Sequence, residues 1–274
     1  MTDSVQPELF SLSDDAVLIV DPAVVPDAAS TEVETAATRA TTAVEASPAW
    51  WHRLAVFDLE TTGIDVETSR IVTANVSVIG ADGHPVSRLD WLADPGVEIP
   101  EQATAVHGVT TARAVAEGRP AALVVYEIVD ALRALLAEGV PLVIYNAPYD
   151  LTLLHHEAVR YGIDPLELPG PIIDPLVIDK AVDRYRKGKR TLEAAAVVYG
   201  VELLDAHDAG ADAIAAGRVA QALAQKHDAV SALAVHELHD RQVDWFREQA
   251  ESFQEYMRRT HNPEFTARTA WPVG

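Results

Sequence analysis

The spacing of apolar residues changes along the chain, and each change marks an element. Residues 54–60, LAVFDLE, form an apolar run rich in β-branched and aromatic side chains that predicts a strand. RIVTANVSVIG (70–80) and HPVSRLDWLA (84–93), separated by an Asp82-Gly83 turn, read as a hairpin. Helical spacing then takes over in residues 121–139, with Leu123, Val124, Ile128, Leu132, Leu135 and Leu136 on one side and Gly139 as the stop. PLVIYN (141–146) predicts a short buried strand, residues 150–161 a helix opened by Asp150, and PIIDPLVI (171–178) a further strand-like run. Short and longer helices are expected over 191–200 and about 210–226. From 231 to 259 runs one long amphipathic pattern carrying Leu238, Trp245, Phe246, Phe253, Tyr256 and Met257, suited to packing on the preceding domain or on another copy of itself. Strands first, then alternating helices and strands, imply an α/β mixed sheet covered by helices.

Residues 1–49 break this texture. They hold nine acidic residues and one basic residue, Arg39, with almost no aromatics, which reads as a solvated, disordered tail; PELFSL and DDAVLIVDP are the segments in it that could dock elsewhere. The expected organisation is therefore a tail over 1–49, a catalytic-sized domain over 50–228 and a helical extension over 229–274. The 49% apolar content of the 274 residues is ample for a buried core. No cysteine is present, so thiolate metal sites, disulfides and cysteine nucleophiles are excluded, and any metal must take carboxylates, imidazoles or carbonyls. A formal charge of -21 disfavours polyanion binding by bulk electrostatics, so a nucleic-acid partner would need a metal or a local basic patch. No long uncharged apolar run occurs and the first ten residues lack the basic and apolar regions of a signal peptide, so a soluble cytoplasmic protein without a membrane partner is expected.

Four carboxylates and one imidazole stand out. Asp58 and Glu60 lie two apart at the end of the first strand, where the period of two puts both on one face. Such a pair suits a hard divalent cation such as Mg²⁺, although an exposed pair in a turn would look the same. Asp150 follows the strand ending at Asn146, where it could cap a helix or complete a cation site. His207 precedes Asp212 by five residues at the front of another helix. The run RYRKGKR places Arg184, Arg186, Lys187, Lys189 and Arg190 within seven positions, either a phosphate-binding loop or a solvated one that offsets neighbouring acids.

In order, DLETTG, HGVT, YNAPYDLTLL and H-x4-D resemble the DEDDh family of 3′-to-5′ exonucleases, over about residues 53–226. That family includes the proofreading exonuclease subunit of bacterial replicative DNA polymerase, ribonuclease T and oligoribonuclease. The resemblance implies a ribonuclease H-like fold with a five-stranded mixed sheet and a site at the strand ends. It makes Asp58, Glu60, Asp150 and Asp212 the ligands of two divalent cations, Mg²⁺ or Mn²⁺, and His207 the general base. Two such ions about 3.5–4 Å apart can activate water and stabilise a leaving 3′-oxygen. An imidazole, with an ordinary pKa of about 6.5, can accept the water's proton near neutral pH.

Thr61, His107 and Asn146, together with Arg186, Lys187 and Lys189 of the basic run, are then the candidate substrate contacts; His107 could equally be a structural turn histidine. Tyr149 stands where relatives usually carry Phe, and Tyr145 where a smaller residue is common. The implied function is release of nucleoside 5′-monophosphates from single-stranded DNA or RNA 3′ ends. The alternative is a non-catalytic nucleic-acid-binding or polymerase-associated module on the same fold. A polymerase acting in trans and a homodimer are the protein partners this reading leaves open.

Overall fold

The computed structural model describes residues 49–168, 170–203 and 206–274; the PELFSL and DDAVLIVDP segments lie outside the described residues. After a 3-10 turn at Trp50–His52 come β1 (Leu54–Thr61), β2 (Ile71–Ile79) and β3 (Pro85–Asp94), joined as an antiparallel meander. Two short helices follow, α1 (Glu101–His107) and α2 (Thr111–Glu117), then the two-residue β4 (Arg119–Pro120) and α3 (Ala121–Ala137). The chain returns through β5 (Leu142–Val143), α4 (Ala147–Arg160), β6 (Ile172–Ile173) and α5 (Pro175–Val182). It ends with α6 (Leu192–Tyr199), α7 (Ala209–Lys226), α8 (Asp228–Ser231) and α9 (Val235–Thr260). The sheet order is β4-β3-β2-β1-β5-β6, with β5 and β6 parallel to β1. Among the described residues it has six strands rather than five, because the chain between α2 and α3 adds β4 beside the end of β3.

Each sheet face builds its own core. Ala55, Phe57 and Leu59 of β1 pack with α3 and α4, while Leu54 and Val56 pack under α5, α6 and α7. The alternation is the strand period expressed in three dimensions. On α3, Val124, Ile128 and Leu132 are fully buried as the helical spacing demands, but Leu123 is 43% exposed, one position beyond the edge of the apolar stripe.

Two element assignments differ from the sequence pattern. Only Ile172 and Ile173 of PIIDPLVI are strand; Asp174 then caps α5 by accepting the Leu176 N–H, and Pro175 occupies the first turn, a helix-start signal that overrides the apolar run. In α4, the helix opens at Ala147, three residues before Asp150, because Asn146 adopts a left-handed conformation (φ 65) as its N-cap.

The terminal helix belongs to this body. Gln242, fully buried on α9, accepts the Asp174 N–H at 2.6 Å and donates to the Ile172 carbonyl at 3.0 Å, and His239 Nδ1 accepts the Ile172 N–H at 3.1 Å. These side chains satisfy the outer edge of β6, which would otherwise present unpaired backbone groups. Trp245 and the C-terminal Trp271 pack into the cores, and Phe253 meets Phe265 edge-on, so the end of α9 is covered by the chain's own last residues.

Candidate active site

The row Leu54, Val56, Asp58, Glu60 runs along the α7-facing side of β1, apolar where the core is deep and acidic where the strand reaches the sheet's end. The β1–β2 register slips between Glu60 and Thr61, a local irregularity of the kind that ends pairing and redirects side chains beside functional sites. Asp150 is not a helix cap. Its Oδ1 accepts the Leu59 N–H at 3.1 Å, between the two β1 acids, and the residue is 3% exposed.

What fixes Asp150 there is Asp174, a residue that sequence reading missed. The fully buried Asp174 carboxylate accepts the N–H groups of Asn146 (3.0 Å), Ala147 (2.9 Å) and Leu176 (3.0 Å), so one side chain holds the N-termini of both α4 and α5. The Asp-Pro pair was its visible signal as a cap of α5; its bond to α4 required the fold.

Asp212 comes from the first turn of α7. That helix lies unusually close to β1 and β2, because a Cβ at Gly217 would stand 2.5 Å from Val56 Cγ1 and 2.6 Å from Ile79 Cδ1. Asp208 caps the helix through the Ala211 N–H at 3.0 Å. His207, just before it, is held at φ 69, a left-handed conformation that costs a non-glycine residue about 1–2 kcal/mol. Its N–H donates to Asp212 Oδ2 at 3.1 Å, and its Nε2 lies 3.9 Å from Glu193 Oε1 on α6. Candidate ligand atoms of Glu60, His207 and Asp212 lie within 4.8 Å of one another.

The electrostatics of this cluster are unfavourable as it stands. Burial first, then the charges of Asp150, Glu60, Asp212 and Asp208, push Asp58 well above the carboxylate range, even though it keeps partial solvent access at the surface. Glu60 is pushed up to about 8 by burial and by Asp212 and Asp208, and Asp212 to about 6, mainly by burial. Asp150 is raised well above its usual value, burial again being the largest cause. Asp212 Oδ1 is buried without a hydrogen-bond partner. Crowded, desolvated carboxylates with an unused buried oxygen fit hard divalent cations in chemistry and in charge.

Around the acids, Thr61 is buried and its Oγ1 lies 2.7 Å from the Gly63 carbonyl and 2.6 Å from the Tyr149 hydroxyl, which itself reaches Gly63 O at 2.6 Å. The hydroxyl that distinguishes Tyr149 from Phe thus ties α4 to the loop after β1. His107 ends α1; its Nδ1 accepts the Val109 N–H at 3.1 Å, while Nε2 is buried without a partner. Burial and nearby His207 lower its pKa, against the raising effect of the Thr61 backbone, and the net lowering favours the neutral ring. Asn146 is exposed at the start of α4.

The basic run divides. Arg186 turns inward onto Asp179, where Arg190 also binds at 2.8 Å, and Asp179 is fully buried. Arg186 is therefore committed to a buried carboxylate within the loop. Tyr145 donates to the Arg190 carbonyl at 2.7 Å and braces the same loop instead of facing the acids. Arg184, Lys187 and Lys189 remain exposed, as does Tyr185 at 80%.

An exonuclease family model, RNase_T, matches residues 55–220. A DNA polymerase III subunit epsilon-like protein from Rhodobacter capsulatus is 32% identical over 134 residues, which cover 46% of this chain and 17% of that protein. Among solved structures, Escherichia coli Exonuclease I in complex with a dA16 oligonucleotide superposes with TM-score 0.58 at 18% identity, covering 66% of this chain and 42% of that one. Exonuclease I from Methylocaldum szegediense gives 0.53 at 21%, covering 75% and 45%. The chain thus spans less than half the length of these relatives, and the structural likenesses bear on the fold. The matched segment begins one residue into β1 and ends in α7, so it contains all four acids and the histidine, and with more than half of the sequence inside it the chain belongs to the RNase_T exonuclease family.

Proposed function

We propose that the protein is a metal-dependent 3′-to-5′ exonuclease that hydrolyses single-stranded DNA or RNA ends to nucleoside 5′-monophosphates. The observation that carries this reading is the meeting of Glu60, His207 and Asp212 within 4.8 Å, beside half-buried Asp58 and buried Asp150, in a chain of this family. Asp58, Glu60, Asp150 and Asp212 would hold Mg²⁺ or Mn²⁺. Bound cations of that kind neutralise the acids, lower the pKa of a water and stabilise charge on a leaving oxygen. The residues do the rest. His207 takes the proton of the attacking water as the new P–O bond forms and the bond to the 3′-oxygen breaks, and Glu193 faces the resulting imidazolium. Thr61, His107 and Asn146 line the approach to the terminal nucleotide. Lys187 and Lys189, exposed on a loop that Arg186 and Arg190 anchor, are suited to phosphates farther along the strand. The likeness to a polymerase subunit epsilon-like protein supports, as part of this proposal, a polymerase partner in trans.

The test uses matched DNA and RNA oligonucleotides labelled at the 5′ end, with Mn²⁺ or with chelator. A ladder shortening from the 3′ end, strictly dependent on metal, is expected. His207→Ala should lose about 10²–10⁴-fold in kcat while keeping metal-induced thermal stabilisation, because a base rather than a ligand has been removed. Metal-independent hydrolysis, or full activity of His207→Ala, would refute the assignment.

A further inference from the structure

We propose that Arg88, in the middle of β3, is a positioning residue that holds the first turn of α7 and with it the His207–Asp212 pair. Its guanidinium extends from the sheet to the start of the helix. Nε donates to Asp90 Oδ2 at 2.7 Å and Nη2 to Asp90 Oδ1 at 2.8 Å, a two-point grip that fixes the plane of the group. From that plane Nη2 faces Asp208 Oδ1 at 3.6 Å, the same oxygen that caps α7. The guanidinium also lies against Gly210 so closely that a Cβ there would collide with it.

Asp90 is itself held from behind. The fully buried Asn75 donates to Asp90 Oδ1 at 2.8 Å and accepts from the Ser77 hydroxyl at 2.8 Å. Asn75 is also the register partner of Asp58, so a polar row crosses the sheet from the acid cluster on β1 to Asp90 on β3, and Arg88 turns it back up to the helix. A cation at a helix N-terminus opposes the helix dipole, and it is retained here between two carboxylates. The C-terminal half of α7 has its own ties to the hairpin: Arg218 donates to the Gly83 carbonyl at 2.9 Å and Gln221 to the Gly80 carbonyl at 2.8 Å. Arg88 supplies the corresponding tie at the end where Asp212 and the left-handed His207 sit. A strained backbone persists only where its surroundings over-determine it, and the Asp208 carboxylate, one residue on, is the point at which Arg88 acts.

The proposal rests on the exonuclease reading above, and the variants are chosen to separate the two. Arg88→Met keeps the aliphatic stem and removes the fork. Because Arg88 and Asp208 are both substantially exposed, the variant should melt within a few degrees of wild type. Its kcat should fall about 10- to 100-fold at unchanged KM, as expected when catalytic groups are displaced by about 1 Å. In the His207→Ala background the same substitution should lose far less. Hydrogen exchange of the metal-free protein should show faster exchange confined to the amides of residues 207–212. Gly210→Ala, which displaces the guanidinium from the other side, should reproduce the loss and be non-additive with Arg88→Met. A raised KM with a shallower salt dependence would instead make Arg88 a phosphate contact and overturn the proposal. So would wild-type kcat and exchange, or an equal loss with and without His207. Full activity of His207→Ala would defeat the underlying mechanism, whereas an inactive His207→Ala beside a fully active Arg88→Met defeats this proposal alone.

Discussion

Removing one carboxylate from the acid cluster should stabilise the metal-free protein, and by an amount that grows with pH. Glu60 is the choice because its pKa rises from an ordinary 4.5 to about 8, through burial and then Asp212 and Asp208. A group whose pKa is raised on folding favours the native state at low pH, and that advantage is lost as pH climbs from about 4.5 through about 8. Each unit in that window is worth up to about 1.4 kcal/mol, so the upper bound on what wild type loses is about 5 kcal/mol. Partial solvent access and the shared titration with Asp212 reduce this, and about 2 kcal/mol at pH 8 is the expected difference. For a domain of this size that is a Tm higher by about 4–8 °C in Glu60→Gln than in wild type. The assay is a series of thermal melts in chelator between pH 4.5 and 8.5, repeated with saturating Mn²⁺. In chelator the two proteins should melt together at the acid end and diverge as pH rises. With Mn²⁺ the order should reverse, because wild type gains the free energy of binding and the variant gains less. A Tm difference that stays constant across the pH range, or Glu60→Gln melting below wild type at pH 8 in chelator, would refute the electrostatic account of the cluster.

The basic loop separates into two kinds of cation. Lys187→Ala with Lys189→Ala should make the log-log salt dependence of single-strand binding shallower by about 1.4 and raise KM more than it lowers kcat; an unchanged slope would make these lysines solvated bystanders. Arg186→Ala should instead lower Tm, since it withdraws one of two arginines from fully buried Asp179, with little change in salt slope; a shallower slope at unchanged Tm would put Arg186 on the substrate. Tyr149→Phe removes the hydroxyl shared with Thr61 and Gly63, for a loss of about 1 kcal/mol in stability, read by denaturant melts; unaltered stability would mean the loop after β1 is held without it.

The candidate acid cluster was legible in the sequence because it is carried by residue type at short spacing. A period of two suffices to put Asp58 and Glu60 on one side of β1, and helical spacing suffices to start α7 near Asp212. The same local rules gave the hairpin, α3 and the long terminal helix. They misjudged PIIDPLVI, where an Asp-Pro cap outranked hydrophobicity, and they undercounted the strands, since a two-residue β4 leaves no periodic trace. They also could not tell Arg186 from Lys187, because both are basic and neighbouring.

Sorting those cations took the third dimension. Asp179 is buried where two arginines can reach it, and that fact lies in how α5 packs, not in the run itself. The same holds for Asp174, whose carboxylate joins two helices, and for Arg88, whose partners Asp208 and Gly210 are more than a hundred residues away. Sequence alone determined which groups could do chemistry, since composition and local periodicity are properties of nearby residues. Only tertiary structure decided how those groups are held and which charges are desolvated, because burial and long-range hydrogen bonds exist only after distant segments have met.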